Sequence, residues 1–415
     1  MHRAPFVQNP RHSTAVRTLL VGAAFAFSAA STFAQSTPAG LAAVPASQAT
    51  PAPASPAPYG YSDDDFPAAK NSRKPSVAVS EGALPSPAAS AAFDARAGAG
   101  SASNLSAIQF WNENDIFWSD RYYTNGLKLA YTTPEISTGK ELPLFFRDLL
   151  KFSPLSENTD IVPAAYRLHF ALAQEIYTPW REHTALPQPG DHPYSGLLYA
   201  TVALSSETLS RLDSIELSVG ILGPGSYARQ AQGEWHRLIG VKLAEGWRHQ
   251  LRDEPILQLG WTRAGRYTWL RKDSLQVDWH PRAHVEVGTI RDYASVGAQW
   301  RVGWAPAGLP RDFGIAGIRS SPAFTRPAGG FPDSAWLFVD LQGEGWLWNS
   351  TLDGNLWHKS AKVHRYPWVA EAVVGISAQW GDLRVSLSEV IRSKEFRGQH
   401  GEVSVHHILS LGLTF

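Results

Sequence analysis

From Asn104 to the end of the chain, apolar and polar side chains alternate. In SIELSVGIL, Ile215, Leu217, Val219 and Ile221 fall on one side and Ser214, Glu216, Ser218 and Gly220 on the other. In SVGAQWRVGW the apolar set is Val296, Ala298, Trp300, Val302 and Trp304. Successive side chains of a strand point to opposite faces, so a period of two predicts half-buried strands. LKLAY, LHFAL, LQLGW, AVVGISAQW and LRVSL repeat the pattern. It predicts strands near 105–113, 123–133, 166–177, 195–207, 213–222, 255–268, 275–289, 293–304, 335–348, 368–380, 382–393 and 403–415, twelve in all. The seventh contains Pro281, which has no N–H for a ladder, and is the least regular.

Alternation fits a soluble sandwich and a membrane barrel alike. The faces opposite the apolar ones hold Gly, Gln, Arg, Ser and His, as a polar lumen would, and Trp and Tyr recur near strand ends, as interfacial girdles would. The last segment, VSVHHILSLGLTF, alternates through Val403, Val405, Leu409, Leu411 and Leu413 to Phe415, resembling the terminal strand of bacterial outer-membrane barrels. The expected fold is therefore all-β: a 12-stranded antiparallel transmembrane outer-membrane β-barrel with a short helix in an extracellular loop. An even strand number puts both ends on one side. With the leader in the periplasm, the loops after the odd strands face outward. Tight links at Arg211-Leu212-Asp213 and Gly381-Asp382, a helix in ELPLFFRDLLKF and a long segment from Pro306 to Asp333 then fall on the periplasmic side.

Upstream of the strands the pattern is absent. Arg3, Arg11 and Arg17 precede an uncharged run from Thr18 to Ala30, and Thr32-Phe33-Ala34 offers a cleavage site, so residues 1–34 read as a signal peptide. Residues 35–103 are dominated by Ala, Pro, Ser and Gly and cannot bury enough apolar surface to offset ordering entropy, which predicts a disordered leader. The barrel is expected over 104–415. The absence of cysteine excludes a disulfide framework, a thiolate metal site and a cysteine nucleophile. Lys plus Arg and Asp plus Glu both number 37 and no basic block occurs, which argues against nucleic acid as a partner.

Polar candidates gather in the first three outward loops. NENDIFWSDRYYTNG carries Asn112, Asn114, Asp115, Asp120, Tyr122, Tyr123, Thr124 and Asn125. EIYTPWREHTALPQPGDHPYSG follows Gln174 and carries Arg181, Glu182, His183, Asp191 and His192. GPGSYARQAQGEWHRLIGVKLAEGWRHQLRDEP reads as a Gly-Pro turn and then helical spacing, with His236 between Trp235 and Arg237. Plain structural roles stand beside each: Asn114 and Asp115 suit a turn, Asn125-Gly126 suits a turn leading into the second strand, and Tyr122 and Tyr123 suit the rim. His183 and His192 flank Pro-rich sequence and are expected to face water, and His236 is one of 14 histidines.

NDIF, DRYYTNG, QEIYTP, GPGSYARQAQGEWHRLIG and GWRHQLRDEP, in this order, resemble the lipid A deacylase family, which removes the 3'-linked acyloxyacyl group of lipid A at the outer-membrane surface. The resemblance is dense from Ser106 to Pro255 and rests on pattern alone beyond it. It implies an ester hydrolase site on the outer side of the barrel that depends on calcium. His236 would be the base that activates water, and Asn114 and Asp115 the pair that holds Ca2+, with Thr124 supplying a hydroxyl. Gln174, Arg181 and Lys242 would contact the substrate, lipid A of the outer leaflet, and the chain would act as a monomer. Two positions depart from the family: Lys242 stands where an acidic side chain can occur six residues after the histidine, and Arg181 stands in for a loop lysine. Other readings are a serine-dependent outer-membrane phospholipase, for which no histidine two residues before a serine is suitably placed, and a passive pore or decayed barrel.

Overall fold

The computed structural model describes residues 105–114, 122–136, 138–144, 146–147, 165–208, 210–306, 308–310, 312–314 and 334–415. They belong to one compact unit, Pro85–Phe415. The expected signal peptide and leader, and Asp115 and Asp120, lie outside the described residues. Thirteen strands form one antiparallel sheet: β1 (Ala107–Asn114), β2 (Tyr122–Thr132), β3 (Ala165–Thr178), β4 (Ser195–Glu207), β5 (Arg211–Leu222), β6 (Glu254–Gly265), β7 (Tyr267–Lys272), β8 (Leu275–Gly288), β9 (Arg291–Trp304), β10 (Ser334–Asn349), β11 (Trp368–Trp380), β12 (Leu383–Ser393) and β13 (Val403–Thr414). Apart from β6 and β7, which both pair with β8, each pairs with its neighbours in sequence, and β13 returns to β1 from Ala107↔Thr414 to Asn114↔His407. Closure satisfies every edge, which a sheet in hydrocarbon requires.

β6 and β7 are one stave. Ala264↔Arg282 and Tyr267↔Trp279 keep a single register against β8 across the gap opposite Pro281, and the register shifts by one residue farther on, between Thr268 and Leu270. The proline thus removes a rung without removing the strand, and the closed barrel has twelve staves. One expected link is corrected: Arg211, Leu212 and Asp213 lie inside β5, because Arg211 pairs with Gly265 and the turn is made by the residues before it. Gly381-Asp382 is a turn as expected. Of ELPLFFRDLLKF, a 3-10 turn at Gly139–Glu141 and a fragment of helix through Arg147 are described. No described helix is long and apolar enough to cross a membrane; the strands do so.

The outer face is apolar, with Leu127, Leu129, Phe170, Leu172, Val296, Val302, Leu337 and Leu387 exposed. The inner face is charged and closed upon itself. Arg282 grips Asp340; Arg392 binds Glu344, Glu371 and Glu395; Arg291 binds Glu175, which also accepts from Tyr177 and Tyr199. Trp111, Trp336, Phe338, Val373, Val390 and Ile408 fill the lumen between the ionic groups. At the end bearing the short turns, the segment after β9 folds inward. Leu309 joins that cluster, Phe313 packs on Leu212 and Ala264, and Asp312 accepts from Arg301 Nη1 and Arg384 Nη1, both at 2.6 Å. At the opposite rim, Tyr122, Leu352, Val363 and Phe396 cluster with Trp180 over the mouth. Tyr122 is therefore a buried lid residue at φ 67° rather than a rim aromatic, and Tyr123 donates into the lumen, to Glu113 at 2.6 Å. His192, expected in water, is buried and stacked on Tyr177 at 5.3 Å.

Candidate active site

The loop after β5 carries the one long helix among the described residues. Gly223 at φ 103° opens a 3-10 turn, Pro224–Ser226, and α1 (Ala228–Ile239) follows, ending at Gly240 in the left-handed region with its N–H on the His236 carbonyl. Ala228, Gln232 and His236 are its buried residues. The spacing of four places them on one face of a helix.

That face lies on the outside of the barrel. On β2 and β3 the exposed apolar residues Leu127, Leu129, Phe170 and Leu172 mark the outward parity, while Lys128, Glu175 and Tyr177 point inward. The outward rung nearest the mouth runs Asn114↔Asn125↔Ile176↔Gly196 across β1 to β4. Ile176 packs with Ala228, Tyr194 and Trp247. A Cβ at Gly196 would lie 2.2 Å from the Ala228 Cβ and 2.3 Å from Ser226 Oγ, so only glycine admits the helix there. Gln174 Nε2, one outward position down β3, donates to the Ser226 carbonyl at 2.6 Å.

Thr124 owes its position to a β-bulge. The β2–β3 register shifts between Tyr123 and Asn125, and the extra residue, Thr124, meets Thr178 hydroxyl to hydroxyl at 2.7 Å, both buried. Bulges re-aim side chains next to functional sites. Asn125 and Gly126, expected in a turn, are instead paired within the β2 ladder.

His236 is 3% exposed, and its Nδ1 is 2.8 Å from the Lys242 carbonyl. A carbonyl only accepts, so Nδ1 carries the proton and Nε2 is the basic nitrogen of the neutral ring. The turn that supplies this carbonyl is itself braced, since Glu245 N donates to the Glu182 carbonyl at 2.9 Å. The Glu182 carboxylate, buried, accepts from Gln232 Nε2 at 3.1 Å, and Gln232 Oε1 accepts from Trp247 Nε1 at 2.8 Å. Arg181 and the Lys242 side chain are exposed, the latter 3.4 Å from Glu245.

A family model described as "Outer membrane protein LpxR" matches residues 82–414. The chain belongs to the LpxR family. The barrel aligns with LpxR from Salmonella typhimurium at a TM-score of 0.59 and 20% identity, covering 74% of this chain and 100% of that one. Weaker alignments include the β domain of the Bordetella autotransporter BrkA (TM-score 0.34, 9% identity, 76% of this chain and 99% of that one) and the Pseudomonas putida toluene transporter TodX (0.30, 8%, 78% and 91%). Among curated proteins nothing matches. Family and fold place this LpxR-family barrel in the bacterial outer membrane.

Asn114, Thr124 and Gln174 thus share the outer wall at the mouth, and His236 rides the helix laid on that wall. Among the described residues no group of three His, Asp or Glu is placed to hold a metal. Glu182 stood among the polar candidates of the second loop; Gln232, Thr178 and Gly196 were not singled out from sequence. The i, i+4, i+8 spacing of Ala228, Gln232 and His236 is the one signal that pointed to Gln232.

Proposed function

We propose that this LpxR-family protein, a modifier of lipid A in the outer membrane, hydrolyses the 3'-linked acyloxyacyl ester of lipid A with His236 as general base. The observation that carries the reading is the His236 Nδ1 contact to the Lys242 carbonyl, which leaves Nε2 basic on a helix roofing the outer wall. Nε2 takes a proton from water, and the water oxygen adds to the ester carbonyl. The Asn114 amide and the Thr124 hydroxyl donate to the oxyanion, and the imidazolium returns the proton to the departing sugar oxygen. The products are a fatty acid and a free sugar hydroxyl. Two lengths are compatible with this assignment. Ala228 to His236 spans about 12 Å along the helix, and the rung from Asn114 to Gly196 spans about 14 Å. The helix-bearing rim would face outward, so the substrate approaches sideways from the leaflet. Arg181, Lys242 and Gln174 would bind it, Arg181 suiting a phosphate through its planar fork.

The resemblance also proposes calcium, and when bound at Asp115 and Asn114 it would polarise the ester carbonyl. Calcium takes six to eight oxygen ligands. The described residues offer the Asn114 amide, and Lys242 brings an ammonium to the turn below His236, so they do not by themselves make that site, and no step above passes through the ion. A passive pore is disfavoured by a lumen filled with Trp111, Trp336 and Phe338, with further packed clusters among the described residues toward each end. Mass spectrometry of lipid A from cells expressing the wild type and His236→Ala tests the reading. Loss of the 3' acyloxyacyl group in the wild type alone is expected; the same lipid A from both overturns it.

A further inference from the structure

The loop joining β10 to β11 springs from the same rim as α1, on staves about half the barrel's circumference away from β3 and β4, and reaches Arg252 and Glu254 at the end of the loop that carries α1. Its sequence from Gly354 to Trp368, GNLWHKSAKVHRYPW, holds two lysines, an arginine and two histidines and no acidic residue. It is stiff. Asn349 caps α2 (Ser350–Asp353), and Gly354 turns at φ 89°. The Glu254 carboxylate then accepts from Leu356 N and Trp357 N, each at 2.8 Å, and meets His358 Nδ1 at 2.9 Å. Val363 N donates to the Leu352 carbonyl, and the Val363 side chain is sunk in the mouth cluster.

These contacts divide the cations. Arg365 is used internally, on Asp353 and the carbonyls of Trp346 and Leu347. Lys359 and Lys362 are exposed and in no ion pair among the described residues. Large apolar groups of the same loop and its flanking strands are also in the open: Trp357 is 56% exposed, Trp368 76% and Leu347 82%. Trp368 pairs with Gly345 on the outward parity of β10, and Leu347 is thrown outward by the bulge between Trp346 and Trp348. Both therefore extend the lipid-facing belt to the level where aromatic side chains meet headgroups.

We propose that the Lys359–Lys362 loop docks the phosphate groups of an outer-leaflet glycolipid, through residues other than those assigned to the catalytic helix. The placement of this rim at the outer leaflet rests on the reading given under Proposed function. Exposed tryptophans fix the depth, and two ammonium groups on a braced backbone, without acidic neighbours in their own loop, match an anionic headgroup. Pinning the loop beforehand spares the ordering cost that a free loop would incur on binding.

The test uses the full chain carrying His236→Ala, so that lipid is bound and not consumed, folded in detergent and checked by heat-modifiable migration. Binding of bisphosphorylated lipid A is compared with that of the same lipid after phosphatase treatment. A preference of about tenfold for the phosphorylated form is expected, and Lys359→Glu/Lys362→Glu should remove most of it, leaving only the part that Arg181 contributes, given roughly a fivefold contribution per lysine at an anionic surface. Lys359→Gln/Lys362→Gln, which adds no repulsion, should lower it by at least fivefold and guards against misfolding of the charge-reversed chain. A preference that survives both double variants, or that is lost only on Arg181→Glu, overturns the proposal. Because His236 is already replaced, an inactive enzyme leaves this measurement standing, and a failed preference leaves hydrolysis by the wild type standing.

Discussion

The two faces of the barrel wall at the mouth are built from opposite chemistry. Inside, charge meets charge at short range: Arg291 with Glu175, Arg392 with Glu344 and Glu371, Arg301 and Arg384 with Asp312. Outside, under α1, the described polar groups are mostly amides and hydroxyls, Asn114, Thr124, Gln174, Thr178 and Gln232, with the His236 imidazole and the Glu182 carboxylate among them. An ion pair that is satisfied and buried is committed; its partners are held by several kcal/mol and have no capacity left for a substrate. Neutral donors beneath a helix can still turn to a developing oxyanion. On the function proposed above, the difference gives consolidation of the barrel to the lumen and reactivity to the outer wall.

The sharpest way to break that division is to lift the roof without touching the lumen. Gly196→Leu puts a branched side chain where even a Cβ would meet Ala228 at 2.2 Å and Ser226 at 2.3 Å. The helix must move, and a displacement of about 1 Å in a positioning element costs on the order of 100-fold in rate. Lipid A deacylation should therefore fall by about two orders of magnitude, while the barrel keeps its heat-modifiable migration and its unfolding midpoint in urea. Unchanged deacylation would show that the seating of α1 on β4 does not matter to the reaction.

The converse variant acts on the lumen. Asp312→Ala leaves the Arg301 and Arg384 guanidinium groups, each about 1–2% exposed, without the carboxylate they share. Stranding buried charge costs about 3–5 kcal/mol, so the urea midpoint followed by tryptophan fluorescence should drop clearly. Deacylation measured well below that midpoint should stay within about twofold, since additivity holds for distant sites without shared partners. A collapse of activity in the folded variant would couple the two faces and end the division of labour.

Sequence made the wall far more legible than the site. Period-two alternation located all twelve staves because every strand touches lipid on one side, so each burial pattern is printed as hydropathy. Even Pro281 misled only about regularity: it interrupts one ladder while the strand persists through its pairing with β9. The site depends on features that alternation does not encode. The bulge at Thr124 adds a residue without altering composition, which is why Asn125-Gly126 reads as a turn and is a rung. Tyr122 and His192 look like polar loop residues, yet the mouth cluster and the Tyr177 ring bury them, and those partners lie up to hundreds of residues away in the chain. Gln232 and Glu182 are linked through space alone.

The smallest effect concerns His192, which belongs to the lumen side of the comparison although it sits in a loop. Burial pushes its imidazole below the ordinary value, more than Pro193, Glu395 and Asp191 raise it. In the native chain the ring is therefore neutral, with its Nδ1 2.8 Å from the Pro193 carbonyl. Below about pH 6.5 the unfolded chain takes up a proton that the native ring refuses. The stabilisation by the neutral ring is complete above that pH and declines as pH falls toward the depressed native value, with a slope of at most about 1.4 kcal/mol per pH unit. His192→Phe keeps an aromatic ring against Tyr177 and removes the proton. Its urea midpoint should fall less than that of the wild type between pH 7 and pH 5, by about 1 kcal/mol in free energy, while the pH profile of deacylation, in the proposed mechanism a property of the outer wall, should not move. Equal stability slopes for the two chains would mean that the mouth tolerates a charged ring; a shifted activity profile would mean that the mouth and the outer wall titrate together.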